Sequence, residues 1–410
     1  MSSIRYVIAR EILDSRGIPT IEAEIFTNSG SYTADVPSGT SSGIHEAFEL
    51  RDNKSRYSGK GVKLAVKNME KISHKITGMD VTNQKGIDNA LIAMDGTENK
   101  SKLGANAILA VSLAAARAGA AESKLKLYEY IGTLSGNKKF TLPVPYMNII
   151  NGGMHAGSEL SIQEFLIVPK NFQTFSRALR AGTEIYSDLK KIILARYGNF
   201  AINVGYEGGF VPPLQNTEEA LQLIQKAINS SGYSGKVFIA MDAAASSFYH
   251  EKYFLDRKIY SSDQLLEFYR KLVQDYGIIS IEDPFDEDDW NGFSKITQEI
   301  PIQVVGDDLL STNVKRIQEA LNKKACNCLL LKANQIGTLT ETIEAAKLAM
   351  KNNWRVIVSH RSGDTSDSFI ADLAVGLGCG QIKAGAPCRG ERTEKYNQLL
   401  RISEHIKIFG

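Results

Sequence analysis

The chain has 410 residues and a mass of 45.0 kDa, two to three times a modal domain of about 150 residues, which excludes a single small module. Forty-eight Lys and Arg against 46 Asp and Glu leave a net charge of +2, which excludes a broad phosphate-neutralising surface and makes nucleic acid a poor partner. Hydrophobic residues at 43% with 23% charged residues place the chain among globular proteins, away from disordered ones. The most apolar stretch, residues 105–121, is Ala-rich, interrupted by Arg117 and too short to cross about 30 Å of hydrocarbon, so it reads as a buried helix. Arg5, Arg10 and Glu11 break any apolar signal core, so the expected location is the cytoplasm. Four cysteines make no disulfide framework, and Cys326-Asn-Cys328 reads as part of a strand with both thiols on one face.

Taken in chain order, residues 6–13, 20–26 and 31–36 are β runs separated by Asp14-Ser-Arg-Gly17 and Asn28-Ser-Gly30, which predicts a three-strand antiparallel meander. Helical patterns follow over 62–76 and 104–122, giving an α+β N-terminal capping domain over residues 1–130. The Gly- and Lys-containing stretch 132–139, with Pro143 and Pro145 beyond it, has the composition of a linker. From residue 140 to 410 the rhythm changes to helical windows alternating with short, continuous apolar runs, as expected of buried parallel strands. Each run ends on a charged group: Asp242, Glu282, Asp307, Lys332, His360-Arg361 and Lys383, spaced 23 to 40 residues apart. That spacing predicts an α/β fold with a β/α barrel as catalytic domain, its working groups at the carboxyl ends of the strands.

Three carboxylates at neighbouring strand ends, Asp242, Glu282 and Asp307, repel one another unless a cation lies among them. Oxygen-only ligands suit Mg²⁺ better than Zn²⁺. Lys332 follows three leucines; burial and a neighbouring positive Lys383 are expected to lower its pKa toward that of a useful base, the competing role being a salt-bridge partner of one of the acids. Ser359-His360-Arg361-Ser362-Gly363 combines a guanidinium fork, hydroxyls and an imidazole into a grip for phosphate or carboxylate. The Gly- and Ser-rich loop 38–43 reads as a mobile lid whose hydroxyls could ligate a second metal, its spacing fitting a simple flexible turn equally well. Asn151-Gly-Gly-Met-His155 and Gly205-Tyr-Glu207-Gly-Gly209 each place a titratable group among glycines. Gln163-Glu164-Phe165 is read as the end of another strand, making Glu164 and Glu207 a candidate carboxyl pair. Of the remaining histidines only His45 stands near the lid.

The loop 38–43 with Glu46-Ala-Phe-Glu-Leu-Arg51, the stretch 95–113, Ser280-Ile-Glu-Asp-Pro-Phe285, Leu329-Leu-Leu-Lys-Ala-Asn-Gln-Ile-Gly337, residues 358–363 and residues 395–401 together resemble the enolase family, from residue 4 to about 402. The resemblance implies reversible dehydration of 2-phosphoglycerate to phosphoenolpyruvate, with two Mg²⁺ ions and at least a homodimer. It implies that the tight metal maps onto Asp242, Glu282 and Asp307 and the second onto Ser41. It implies Lys332 as the base, Glu207 as the acid with Glu164 beside it, and His155, Gln163, His360, Arg361, Ser362 and Lys383 as substrate-binding residues. Four positions depart from the family pattern: Tyr206 in place of Asp, Ser247 in place of Glu, Asp364 in place of Glu and Gly390 in place of Ser. The departures motivate a second reading, in which the same metals and base serve another phosphorylated or phosphonylated carboxylic acid. Replacing a carboxylate by the Tyr206 phenol removes a like charge beside Glu207, which lowers the pKa of Glu207 unless the ring desolvates it.

Overall fold

Alternating Ile21, Ala23 and Ile25 give the first sheet one fully buried face. The structure, a computed structural model, describes residues 3–39, 43–156 and 159–410, apart from the side chains of Met154 and His155. Strands β1 (Tyr6–Leu13), β2 (Pro19–Phe26) and β3 (Ser31–Asp35) form the expected antiparallel meander in the order β1-β2-β3. Helices α1 (Lys63–Ile76), α2 (Gln84–Asp95), α3 (Ala105–Glu122) and α4 (Leu127–Ser135) follow. Small side chains on every face let α3 lie buried among β2, β3, α2 and α4. Its Ile108, Leu109 and Leu113 each contribute roughly 1.5–3 kcal/mol by leaving water. No described helix is long and apolar enough to cross a membrane.

The stretch read as a linker is in part helical, because α4 runs through Ser135. Gly132 sits inside α4 where a Cβ would meet the Phe140 ring at 2.5 Å, and Gly136, at φ 79°, is the left-handed residue that ends the helix. The glycines mark close packing and a cap there, so composition alone misread them.

Eight strands close a barrel: β4 (Val144–Asn151), β5 (Glu164–Pro169), β6 (Val237–Asp242), then, after the small sheet β7 (Tyr249–His250), β8 (Lys252–Leu255) and β9 (Lys258–Tyr260), β10 (Ile278–Glu282), β11 (Gln303–Gly306), β12 (Cys328–Leu331), β13 (Arg355–Ser359) and β14 (Gly380–Lys383). The barrel is not wholly parallel, since β5 pairs antiparallel with both β4 and β6. Glu164 therefore begins its strand, where the sequence placed it at the end, and the reversal brings it to the rim occupied by the other strands' carboxyl ends. Tyr146, Leu166, Val305, Cys328 and Leu330 fill the barrel interior. Cys326 precedes β12 and packs in the outer core, so the two thiols lie in different layers; strand alternation does not extend back to Cys326.

The first sheet and its helices reach the barrel rim. Ser38 and Gly363 exchange two backbone hydrogen bonds of 2.7 and 2.9 Å, Arg117 of α3 forks onto Asp367 at 2.6 and 2.7 Å, and Lys100 pairs with Glu341 at 3.0 Å. Helix Phe369–Leu377 packs on α4 so closely that a Cβ on Gly376 would lie 2.7 Å from Ile131 and 2.8 Å from the Tyr128 carbonyl oxygen. Gly376→Ala should accordingly destabilise the protein by about 1–3 kcal/mol in urea unfolding, through overpacking; an unchanged midpoint would show that these helices can separate freely.

Candidate active site

Parallel and antiparallel register set four side chains side by side at one rim. Glu164 pairs with both Asn151 and Asp242, and Asp242 pairs with Glu282 on the next strand. Lys383, at the end of β14, reaches across: its Nζ lies 3.0 Å from Asp242 Oδ2, 2.8 and 2.9 Å from the two Glu282 oxygens and 3.2 Å from Glu164 Oε2. All four groups are buried. Burial alone would lower the ammonium, but Asp242, Glu164 and Glu282 hold Lys383 well above the ordinary lysine range. Burial, then the Glu207 charge, pushes Glu164 well above the carboxylate range; burial and Asp242 do the same to Glu282. Gln163 Nε2 donates to Asp242 Oδ2 at 3.4 Å.

Lys332 lies just past β12 and binds Asp307, which lies just past β11. Burial and the positive Arg361 pull the ammonium down, yet Asp307 outweighs them and holds it above the usual value. The expected lowering therefore does not hold in this arrangement, because the charge closest to the amine is the carboxylate. Gln335 Nε2 donates to Asp307 Oδ1 at 2.9 Å, and Thr312 fixes Gln335 from behind at 2.8 Å.

Glu207 is buried in its glycine turn, where a Cβ on Gly209 would lie 2.6 Å from the Asn151 side chain and one on Gly208 3.0 Å from the Cys388 carbonyl oxygen. Asn148 of β4 donates to Glu207 Oε2 at 2.9 Å, and His360 Nε2 stands 3.8 Å from Oε1. Burial, aided by the nearby Arg392, pushes His360 well below its usual range, so the imidazole is neutral. Glu164, Glu207 and His360 bring one ligand atom each within 4.8 Å of one another.

On the opposite wall Arg361 forks onto Glu46 at 3.1 and 3.2 Å and touches Asn334 at 3.1 Å. Ser362 is buried beside Arg16, whose guanidinium is held by Asp14 at 2.7 and 3.1 Å. These groups enclose a cavity of about 250 Å³ whose lining includes Lys332, Lys383, Glu164, Glu207, Asp242 and Arg361. Ser41 lies outside the described residues, as does the side chain of His155, whose backbone belongs to the short helix Gly153–Ala156. His45 contacts Arg316 at 2.7 Å rather than the cavity. Among the departures, the Tyr206 ring is 40% exposed, Ser247 borders the cavity, Asp364 accepts from Lys395 at 3.0 Å, and a Cβ on Gly390 would meet open space.

The donor chemistry fits a hard divalent cation. The rim offers carboxylate oxygens in excess of ammonium groups, and Asp283, Asp307 and Asp308 bring one oxygen each within 4.8 Å. Burial and Asp307 raise Asp308 to about 8, a sign of acid short of positive charge. Asp283, Glu46, Gln335 and Arg392 were missed in the sequence. Asp283 is one residue past Glu282 and at φ 40°, where its two oxygens accept the backbone N–H groups of Asp307 and Asp308 at 3.0 and 2.7 Å. Adjacency to a strand-end acid was the available signal for it; the other three act across long sequence separations that no local pattern reveals.

A barrel whose rim carries buried acids, two lysines and an arginine around a small cavity has the make-up of an enzyme site that could take a divalent cation and a small anion. Similarity to known proteins makes that class specific. The family model for the N-terminal domain of enolase matches residues 4–131, and that for the enolase C-terminal TIM barrel domain matches residues 139–408. The enolase of Methanocaldococcus jannaschii is 53% identical over 408 residues, covering 99% of this chain and 96% of the relative. The chain belongs to the enolase family, and that membership implies a divalent metal and hydro-lyase chemistry.

Lys383→Met should cost about 3–5 kcal/mol of stability at pH 8, because three buried carboxylates lose their counter-charge. Glu164 and Glu282 already lie above the carboxylate range, and removing the ammonium pushes these two further above their unfolded values of about 4, so the deficit should be absent near pH 4 and grow as pH rises. Thermal unfolding at both ends of this range checks the sign; a deficit independent of pH would refute the charge account.

Proposed function

We propose that the chain catalyses the reversible dehydration of 2-phosphoglycerate to phosphoenolpyruvate, as a glycolytic and gluconeogenic enzyme of the cytoplasm. Full-length identity of 53% to an enolase carries this reading, and the rim of Lys332, Lys383, Glu207 and their acids supports it. In it Arg361, Ser362 and His360, with His155 and Gln163, grip the phosphate and carboxylate of the substrate. Lys332 Nζ takes the proton from the carbon next to the carboxylate, and Glu207 gives a proton to the hydroxyl that leaves from the neighbouring carbon, with Glu164 beside it. Lys383 faces the negative charge that builds on the carboxylate.

The residues suited to hold metal are Asp242, Glu282 and Asp307 for one Mg²⁺, with Ser41 for a second. Bound there, Mg²⁺ would stabilise the charge developing on the substrate carboxylate. The salt bridge between Lys332 and Asp307 gives the metal a further consequence for the chain's own chemistry. With Asp307 and Glu282 engaged by a cation, burial and the positive Arg361 and Lys383 are what remain at Lys332, and each favours the neutral amine a base needs. We also place the chain in a homodimer or larger homo-oligomer; sedimentation as a 45.0 kDa species alone would overturn that.

Absorbance of phosphoenolpyruvate formed from 2-phosphoglycerate, followed while Mg²⁺ is titrated in, tests the reaction. Turnover should depend on metal and fall about 10²–10⁴-fold in Lys332→Ala and in Glu207→Gln. Full turnover in either variant would remove that residue from its role, and absence of turnover in the unsubstituted protein would reject the substrate.

A further inference from the structure

Behind the cavity lies Arg392, on helix Gly390–Ser403 and wholly buried. Its guanidinium is spread over two segments that meet at the site. Nη1 donates to the Arg361 carbonyl oxygen at 2.7 Å and to His360 Nδ1 at 2.6 Å; Nη2 donates to the carbonyl oxygens of Ser362 at 2.7 Å and Tyr206 at 3.0 Å. We propose that Arg392 is a positioning residue for the reaction: it fixes the His360 imidazole in the tautomer whose Nε2–H faces Glu207, and it clamps the Glu207 turn to the anion-gripping turn. This rests on the proposed roles of Glu207 and His360.

The tautomer follows from donor arithmetic. A guanidinium carries five N–H donors and no acceptor, so a 2.6 Å contact with Nδ1 requires that nitrogen to accept. In a neutral ring the proton then sits on Nε2, 3.8 Å from Glu207 Oε1. The ring is held neutral by its surroundings: it is buried, and Arg392, Lys383 and Lys332 oppose its protonation while Glu207 favours it. A histidine with the opposite tautomer would present a lone pair to the carboxylate and repel it.

The clamp has geometric content as well. Tyr206 immediately precedes Glu207, and Ser362 and Arg361 belong to the grip, so one rigid fork fixes three carbonyl groups from segments more than 150 residues apart in the chain. The Ala386 N–H, bonded to the Glu207 carbonyl at 2.9 Å, and the Tyr396 hydroxyl, bonded to the Gly385 carbonyl at 2.5 Å, brace the same turn from the other side. Arg392 is itself loosely neutralised. Asp364 Oδ2 lies 3.5 Å from Nη1 and Glu391 Oε1 3.4 Å from Nε, and neither Asp364 Oδ2 nor Arg392 Nε has a hydrogen bond among the described residues.

The decisive measurement is ¹⁵N NMR of the imidazole in protein labelled at histidine, with the His360 signals assigned by a His360→Gln sample. In the unsubstituted protein at pH 7, His360 Nδ1 should give an unprotonated, hydrogen-bonded signal and Nε2 a protonated one. The reverse tautomer overturns the proposal without any variant of Arg392. In Arg392→Lys and Arg392→Gln the Nδ1 signal should lose this signature, and kcat should fall about 10²-fold with a smaller change in KM, the lysine variant retaining more of both. A folded Arg392→Gln protein with unchanged tautomer and kcat overturns the proposal. The NMR readout needs no turnover, so failure of the enolase reading would appear separately, as an unsubstituted protein with the predicted tautomer and no activity.

Discussion

Neutralising buried acid is the constraint around which this molecule is arranged. Asp242, Glu282 and Glu164 are removed from water at the barrel rim, and an isolated carboxylate there would cost several kcal/mol. Lys383 answers the three of them from the last strand, and Lys332 answers Asp307. The arrangement still leaves acid in excess, most visibly at Asp283 and Asp308, which burial and their neighbours raise above the ordinary range. That excess makes the rim receptive to a divalent cation, and a lysine that shares its carboxylate with a cation is one whose basicity responds to the cation's arrival.

The same rim depends on an irregularity in the barrel. Had β5 run parallel to its neighbours, residue 164 would lie at the opposite mouth and Lys383 would face two acids instead of three. Reversal of a single strand exchanges one end for the other without moving the strand, and it replaces slanted hydrogen bonds with perpendicular ones. The other half of the enclosure comes from outside the barrel. Glu46 supplies the carboxylate for Arg361, and the Ser38–Gly363 pairing ties the root of the loop before residue 40 to the turn that carries Arg361 and Ser362.

Much of this was legible in the sequence, and the places where legibility failed share a physical cause. The meander, the buried α3 and the charged strand ends follow from periodicity and from chain-local punctuation. Glu164 was read at the wrong end of its strand because an apolar run carries no sign of its direction. The glycines at 132 and 136 were read as linker because composition does not distinguish a flexible glycine from one demanded by a neighbouring ring or a helix cap. The Lys332 pKa lies above the usual value because Asp307 is the partner that the competing salt-bridge reading allowed for, and periodicity does not tell which acid stands nearest the amine. Arg392 and Glu46 carry no local signal, since their partners lie tens to hundreds of residues away.

The position of Lys383 also has a meaning in time. Glu164, Asp242 and Glu282 leave the ribosome well before β14, at about 5–20 residues per second, and during that interval the rim has acids and no lysine to answer three of them. The closing strand that completes the hydrogen-bonded circle also delivers the charge that makes the circle tolerable. A chain that lacks β14 lacks both the strand that completes the barrel and the ammonium shared by three of its buried acids, so closure and neutralisation arrive together.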